Sequence, residues 1–181
     1  MKVPLVAPFC ARGLVLLEML AAVCVLGVLA AMAVPGISAI SDRLKLNATA
    51  ESLVSSLYAA RAQAYQRGGH VTVSQNASPD CAPAQDSSNW GCGWMVFADA
   101  DEDGVRDSGD ELILVEQAPR GIEISQTNRL AALRLNAWGQ FTGNRGTGFV
   151  VRLRGRTELA TAICMSSGGR IRSQPGANEC S

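Results

Sequence analysis

The chain has a single histidine, His70, in 181 residues. A serine–histidine–carboxylate nucleophile needs an imidazole and a histidine-rich metal centre needs several, so both are all but excluded. His70 follows Gly69 and is expected to start a strand. Six cysteines occur without any C-x-x-C spacing, which argues against metal-binding thiols. Phosphate loop, nucleophile elbow and paired catalytic carboxylates are all missing. So are internal repeats and low-complexity tracts. Neither enzymatic activity nor a cofactor is expected.

Charge is missing from one stretch as well. Between Leu14 and Val34 the only charged residue is Glu18. Such a run, at about 1.5 Å rise per residue, spans roughly the 30 Å hydrocarbon core of a bilayer. The remainder is ordinary soluble sequence, so a tethered domain is expected. The overall net charge of zero hides three zones: +3 over residues 1–75, −9 over 76–125 and +6 over 126–181. Cys81, Cys92, Cys164 and Cys180 lie behind the apolar segment and read as two disulfides in an oxidising compartment. Three pairings are open; short loops favour Cys81–Cys92 and Cys164–Cys180.

Three readings compete for the N-terminus. Ala31-Met32-Ala33 offers a secretory cleavage site, and an uncleaved anchor is the second. Glu18 points to the third, because a carboxylate within an apolar run costs about 2.5–3.5 kcal/mol on insertion scales and usually has a task. The segment Arg12-Gly13-Leu14-Val15-Leu16-Leu17-Glu18 resembles the signal for prepilin peptidase, although the family more often has Phe and Thr where Leu14 and Val15 stand. The resemblance implies cleavage between Gly13 and Leu14, methylation of Leu14, and Glu18 neutralising the N-terminal amine of a neighbouring filament subunit.

The organisation expected is therefore a cleaved leader (1–13), a transmembrane or filament-core helix (14–35), an amphipathic continuation (36–69) and a periplasmic β-rich head with a basic tail (70–181). Pro35-Gly36 is expected to kink or fray the helix. Beyond it Ile37, Ile40, Leu44, Leu46, Leu53, Val54, Leu57, Ala60 and Ala64 recur at helical spacing up to Gly68-Gly69. Period-two segments then suggest strands at His70–Gln75, Gly93–Ala98, Glu111–Gln117, Ile122–Ser125, Leu133–Asn136, Phe149–Arg154 and Leu159–Met165. Asn76–Asn89 and Gly139–Gly148 read as loops. The fold class is α+β, a long N-terminal helix on an antiparallel sheet. Within pilin-like proteins, Gly93-Trp94-Met95-Val96-Phe97, the acidic turn Asp99–Asp110 and the strand Glu111-Leu112-Ile113-Leu114 resemble the FimT/GspH group of minor pilins and type II secretion pseudopilins.

Asp99, Asp101, Asp103 and Gly104 have the opening spacing of a calcium loop, with Asp107 and Asp110 at its ninth and twelfth positions. The final acid, Glu111, is one place late and the flanks read as strands, so a plain acidic hairpin without metal is expected. Trp90, Trp94 and Trp138 are expected to pack in the core or loops. In the tail, alternation puts Arg170 and Arg172 on one strand face and Ile171 on the other. Two guanidiniums on one face suit phosphate oxygens, and Arg145, Arg152, Arg154 and Arg156 extend the positive field. Gly169-Arg170-Ile171-Arg172 resembles the Gly-Arg-x-Arg DNA-binding tail of FimT-type minor pilins, which implies DNA uptake in natural transformation. The plainer reading is a solvated basic edge that resists strand aggregation.

The expectation is a minor pilin held in the inner membrane and then in a filament. Its partners would be other pilins or pseudopilins, prepilin peptidase and DNA. The alternatives are a type II secretion pseudopilin of the H kind and an anchored calcium-binding module.

Overall fold

A computed structural model describes residues 12–76, 86–143 and 146–180, with the side chains of 12–15, 30–38 and 157 excepted. The chain divides into two units, Met1–Ser41 and Asp42–Ser181. One helix, α1 (Arg12–Arg67), runs through the boundary and continues without interruption through Pro35. Pro35 therefore does not end the helix. Among the described residues no helix is long and apolar enough to cross a membrane. The described side chains of the first unit are nonetheless apolar and open: Leu16, Leu17, Met19, Leu20, Val23, Val25, Leu26, Val28 and Leu29 are each 58–71% exposed.

In the second unit α1 buries one stripe, Leu46, Ala50, Leu53, Leu57, Ala60 and Ala64. Steps of four and three keep these residues on one face. Ile40 and Leu44, expected in the same stripe, are exposed. Buried Thr49 and Ser56 donate to the carbonyls of Lys45 and Ser52, so neither hydroxyl is unmet. The helix stops at Gly68-Gly69, where the Gly69 amide donates to the Ala64 carbonyl.

Eight strands follow: β1 (Val71–Gln75), β2 (Trp94–Ala98), β3 (Glu111–Glu116), β4 (Ile122–Gln126), β5 (Ala132–Leu135), β6 (Thr147–Leu153), β7 (Arg156–Met165) and β8 (Ile171–Pro175). They form two four-stranded sheets, ordered β3-β2-β1-β5 and β4-β6-β7-β8, with every described pairing antiparallel. The single sheet expected from sequence is thus corrected to two. The chain first crosses between the sheets from β3 to β4, where Pro119 has no amide to donate and its carbonyl accepts from Ile122 in a turn, and it returns to the first sheet for β5. Both sheets and the α1 stripe share one core. At its centre Trp90 meets Phe149 edge-to-face at 4.8 Å.

Candidate nucleic-acid interface

The tail extends the second sheet. β8 pairs along β7, with Ile171 opposite Met165 and Arg172 opposite Cys164. From sequence Arg170-Ile171-Arg172 reads as extended chain, without bounds or a pairing partner; the structure supplies both. The turn between β7 and β8 is tight. Ser166 accepts from the Gly169 amide at its carbonyl, and its hydroxyl oxygen accepts from the Arg170 amide. Ile171 is buried in the core while Arg170 and Arg172 are exposed. Alternation along an extended chain puts the two residues on the outward face, with Cα atoms about 7 Å apart. Among the described residues neither has a carboxylate partner.

That face is held by the disulfide between Cys164 and Cys180, whose Cα atoms are 5.5 Å apart. Gly148 leaves room for it: a Cβ there would lie 2.6 Å from the Cys180 sulfur. A groove of about 690 Å³ runs over the disulfide, lined in part by Asn128, Ser166, Arg170, Arg172 and Glu179. Among the described residues Glu179 is its one acid.

Arg61 of α1 also reaches this part of the head. Its Nε donates to the Gly139 carbonyl at 2.9 Å. The guanidinium also lies flat against the tail turn, 3.0–3.2 Å from where a Cβ on Gly169 would stand. Gly169 has φ +80° and is buried, so the glycine of the Gly-Arg-x-Arg sequence is required both by backbone conformation and by that close approach. Gly169→Ala is expected to cost about 1–2 kcal/mol through the left-handed conformation alone. A lower urea midpoint at unchanged m value would show it.

The other arginines do not join this pair. Arg154 binds Glu123 (3.1 Å) and Arg156 faces Asp42 (3.8 Å). Both lie at the far end of β7, about 27 Å from Arg172 at strand rise. Arg152 is half-buried with its Nε unpartnered among the described residues. Arg145 lies outside the described residues. Of the six arginines expected in the positive field, Arg170 and Arg172 are thus the ones that are exposed without an ion pair among the described residues.

The remaining expected residues are scattered. Cys92 is disulfide-bonded, and its expected partner Cys81 lies outside the described residues. Glu18 is exposed on α1; for Gly13 and Leu14 only a place in α1 is described. Trp90 and Trp94 are buried as expected, but Trp138 is 72% exposed. The acidic zone sits in the other sheet, on the β2–β3 hairpin. Arg67 at the end of α1 grips Glu111 there with both its terminal nitrogens, at 2.9 and 3.1 Å. That hydrogen bond and the guanidinium charge hold the Glu111 carboxyl below its ordinary range.

Two solved structures share this fold, both of the type IV minor pilin FimU from Pseudomonas aeruginosa. One, in space group P21, is 20% identical over 78% of this chain and 99% of that chain, with a TM-score of 0.59. The other, in space group P65, is 19% identical over 75% and 99%, with a TM-score of 0.56. No curated protein sequence matches the chain. The family described as type II transport protein GspH matches residues 49–169, which takes in the buried stripe of α1 from Ala50 onward and the sheets up to the tail turn. The chain belongs to that GspH family of pilin-like proteins.

Proposed function

We propose that the chain is a minor pilin of a type IV filament, a structural subunit rather than an enzyme, whose Arg170 and Arg172 bind the phosphates of DNA. The observation that supports the DNA reading is the pair of exposed guanidiniums, without an ion-pair partner among the described residues, on a hairpin fixed by Cys164–Cys180. Filament membership rests on the family and on the open apolar side chains between Leu16 and Leu29. In this reading residues 1–13 are removed by prepilin peptidase. The segment 14–35 lies in the inner membrane and then in the filament core, and the head faces the periplasm.

Phosphate contacts carry no base information, so binding is expected to be largely independent of sequence. Each lost phosphate contact reduces the slope of log K against log salt by about 0.9 on duplex DNA. The chain purified in detergent, titrated with duplex DNA at several salt concentrations, should bind, and Arg170→Gln with Arg172→Gln should flatten the slope by up to roughly 1.8. Binding unchanged in the double variant would leave the arginines as a solvated edge.

A second reading, the type II secretion pseudopilin, is favoured by one observation. The family match ends at Gly169, immediately before the arginines. Membership of a family described by a type II transport protein thus rests on residues 49–169 and does not call for the pair.

A further inference from the structure

Asp99 is 1% exposed, at the end of β2. Its Oδ2 accepts from the Thr72 hydroxyl at 2.6 Å and from the Gly104 amide at 3.1 Å. Its Oδ1 has no partner among the described residues and is sealed from solvent. A buried carboxylate oxygen left unmatched is costly. The nearby basic side chains are engaged elsewhere: His70 faces Glu102 at 3.1 Å, and Arg134 donates to the Glu102 carbonyl.

Asp101 and Asp103 complete a cluster. Each of the three residues offers a carboxylate oxygen, and these lie within 4.8 Å of one another. Two oxygens bound to one calcium ion at 2.3–2.6 Å are at most about 5 Å apart. Three like charges at this range repel unless something sits among them.

We propose that the β2–β3 hairpin binds one calcium ion through Asp99, Asp101 and Asp103. The donors are all oxygens, which select a hard cation. Their irregular arc suits calcium better than magnesium, which demands near-octahedral geometry and gives up water reluctantly. The local backbone supports the arrangement. Asp101 accepts from the Asp103 amide, Asp103 from the Val105 amide, and Gly104 turns the chain at φ +82°. The site stops short of a full twelve-residue calcium loop. Asp110 spends both oxygens on the Ala100 and Asp107 amides, and Glu111 is held by Arg67. Water must fill the remaining positions, so the affinity belongs in the weak class of extracellular modules, Kd about 10⁻⁴–10⁻³ M. Sequence spacing alone favoured a plain acidic turn; the buried, unmatched oxygen of Asp99 reverses that preference.

The test is calorimetric and thermal, on the full chain in detergent with its disulfides intact. Calcium chloride should titrate one site, and calcium at ten times Kd should raise Tm by roughly 3–6 °C over EDTA. Asp101→Asn with Asp103→Asn changes only exposed side chains, leaves Asp99 in place and should abolish both effects. In EDTA that variant should melt no lower than the native chain, because it has lost a repulsion. Four results would each overturn the site: no heat and no shift at 5 mM calcium chloride (about five to fifty times Kd), an equal shift in the variant, an equal shift with magnesium chloride, or a variant that melts well below native in EDTA.

Discussion

Trp90→Ala is expected to destabilise the 42–181 unit by about 3–5 kcal/mol, a large share of the whole stability of a domain this size. The indole is fully buried and meets Phe149 edge-to-face at 4.8 Å. Its Nε1 donates to the Leu130 carbonyl at 3.0 Å, and its backbone amide donates to the Ile124 carbonyl at 2.8 Å. Trp90 thus ties the loop before β2 to β4 of the other sheet. Truncation opens a cavity between the sheets and orphans the Leu130 carbonyl. Trp90→Phe keeps most of the volume and loses the hydrogen bond, so it should cost about 1–2 kcal/mol. Urea unfolding followed by circular dichroism, disulfides intact, measures both. A loss below about 1 kcal/mol for the alanine variant would mean that the two sheets do not share a core through this residue.

How far the sequence carried depended on whether a feature was local. The α1 stripe from Leu46 to Ala64 was legible because helical spacing is a property of neighbours three and four apart. Six of the eight strands, β1 to β6, start within two residues of their expected positions for the same reason. What escaped is non-local. β1 pairs with β5 across some sixty residues, and β4 leaves its sequence neighbour β3 for β6; alternation says nothing about partners. The extent of β8 and its place beside β7 escaped as well, since alternation at Arg170-Ile171-Arg172 names neither bounds nor partner. Ile40 and Leu44 kept the helical period but not the burial, since period reports a face and not what covers it.

The candidate site divides the same way. Arg170 and Arg172 on one face with Ile171 inside followed from alternation. The Arg61 guanidinium against Gly169 did not, because nothing within α1 points to a turn more than a hundred residues downstream. Nor did the pairing of Arg154 and Arg156 with Glu123 and Asp42, which removes them from the positive field. Acidic spacing was visible at Asp99, Asp101 and Asp103, but the burial that distinguishes Asp99 from its exposed neighbours depends on Thr72 of β1.

Glu18→Ala is expected to reduce incorporation into filaments by roughly a hundred- to a few thousand-fold at each subunit junction. Glu18 stands among Leu16, Leu17, Met19 and Leu20, all more than 60% exposed, and among the described residues it has no ion-pair partner. In the proposed filament core that charge would be met from outside the chain. Resemblance to prepilins supplies the neighbour's N-terminal amine as that partner. Within a packed apolar core, removing one member of such a pair strands the other and costs about 3–5 kcal/mol. Sedimentation of sheared filaments against membrane-retained chain would measure the loss. Leu17→Ala is the control for apolar area. It removes a neighbouring side chain without touching charge, costs about 1.5–3 kcal/mol at most, and should leave more subunits in filaments than Glu18→Ala does. Sequencing the N-terminus of each variant separates assembly from processing, because all should begin at Leu14 if the peptidase reads Gly13. Filaments of Glu18→Ala at native abundance would remove the pairing role. A mature start near Val34 would remove the leader itself, and with it the reason for a carboxylate at this depth.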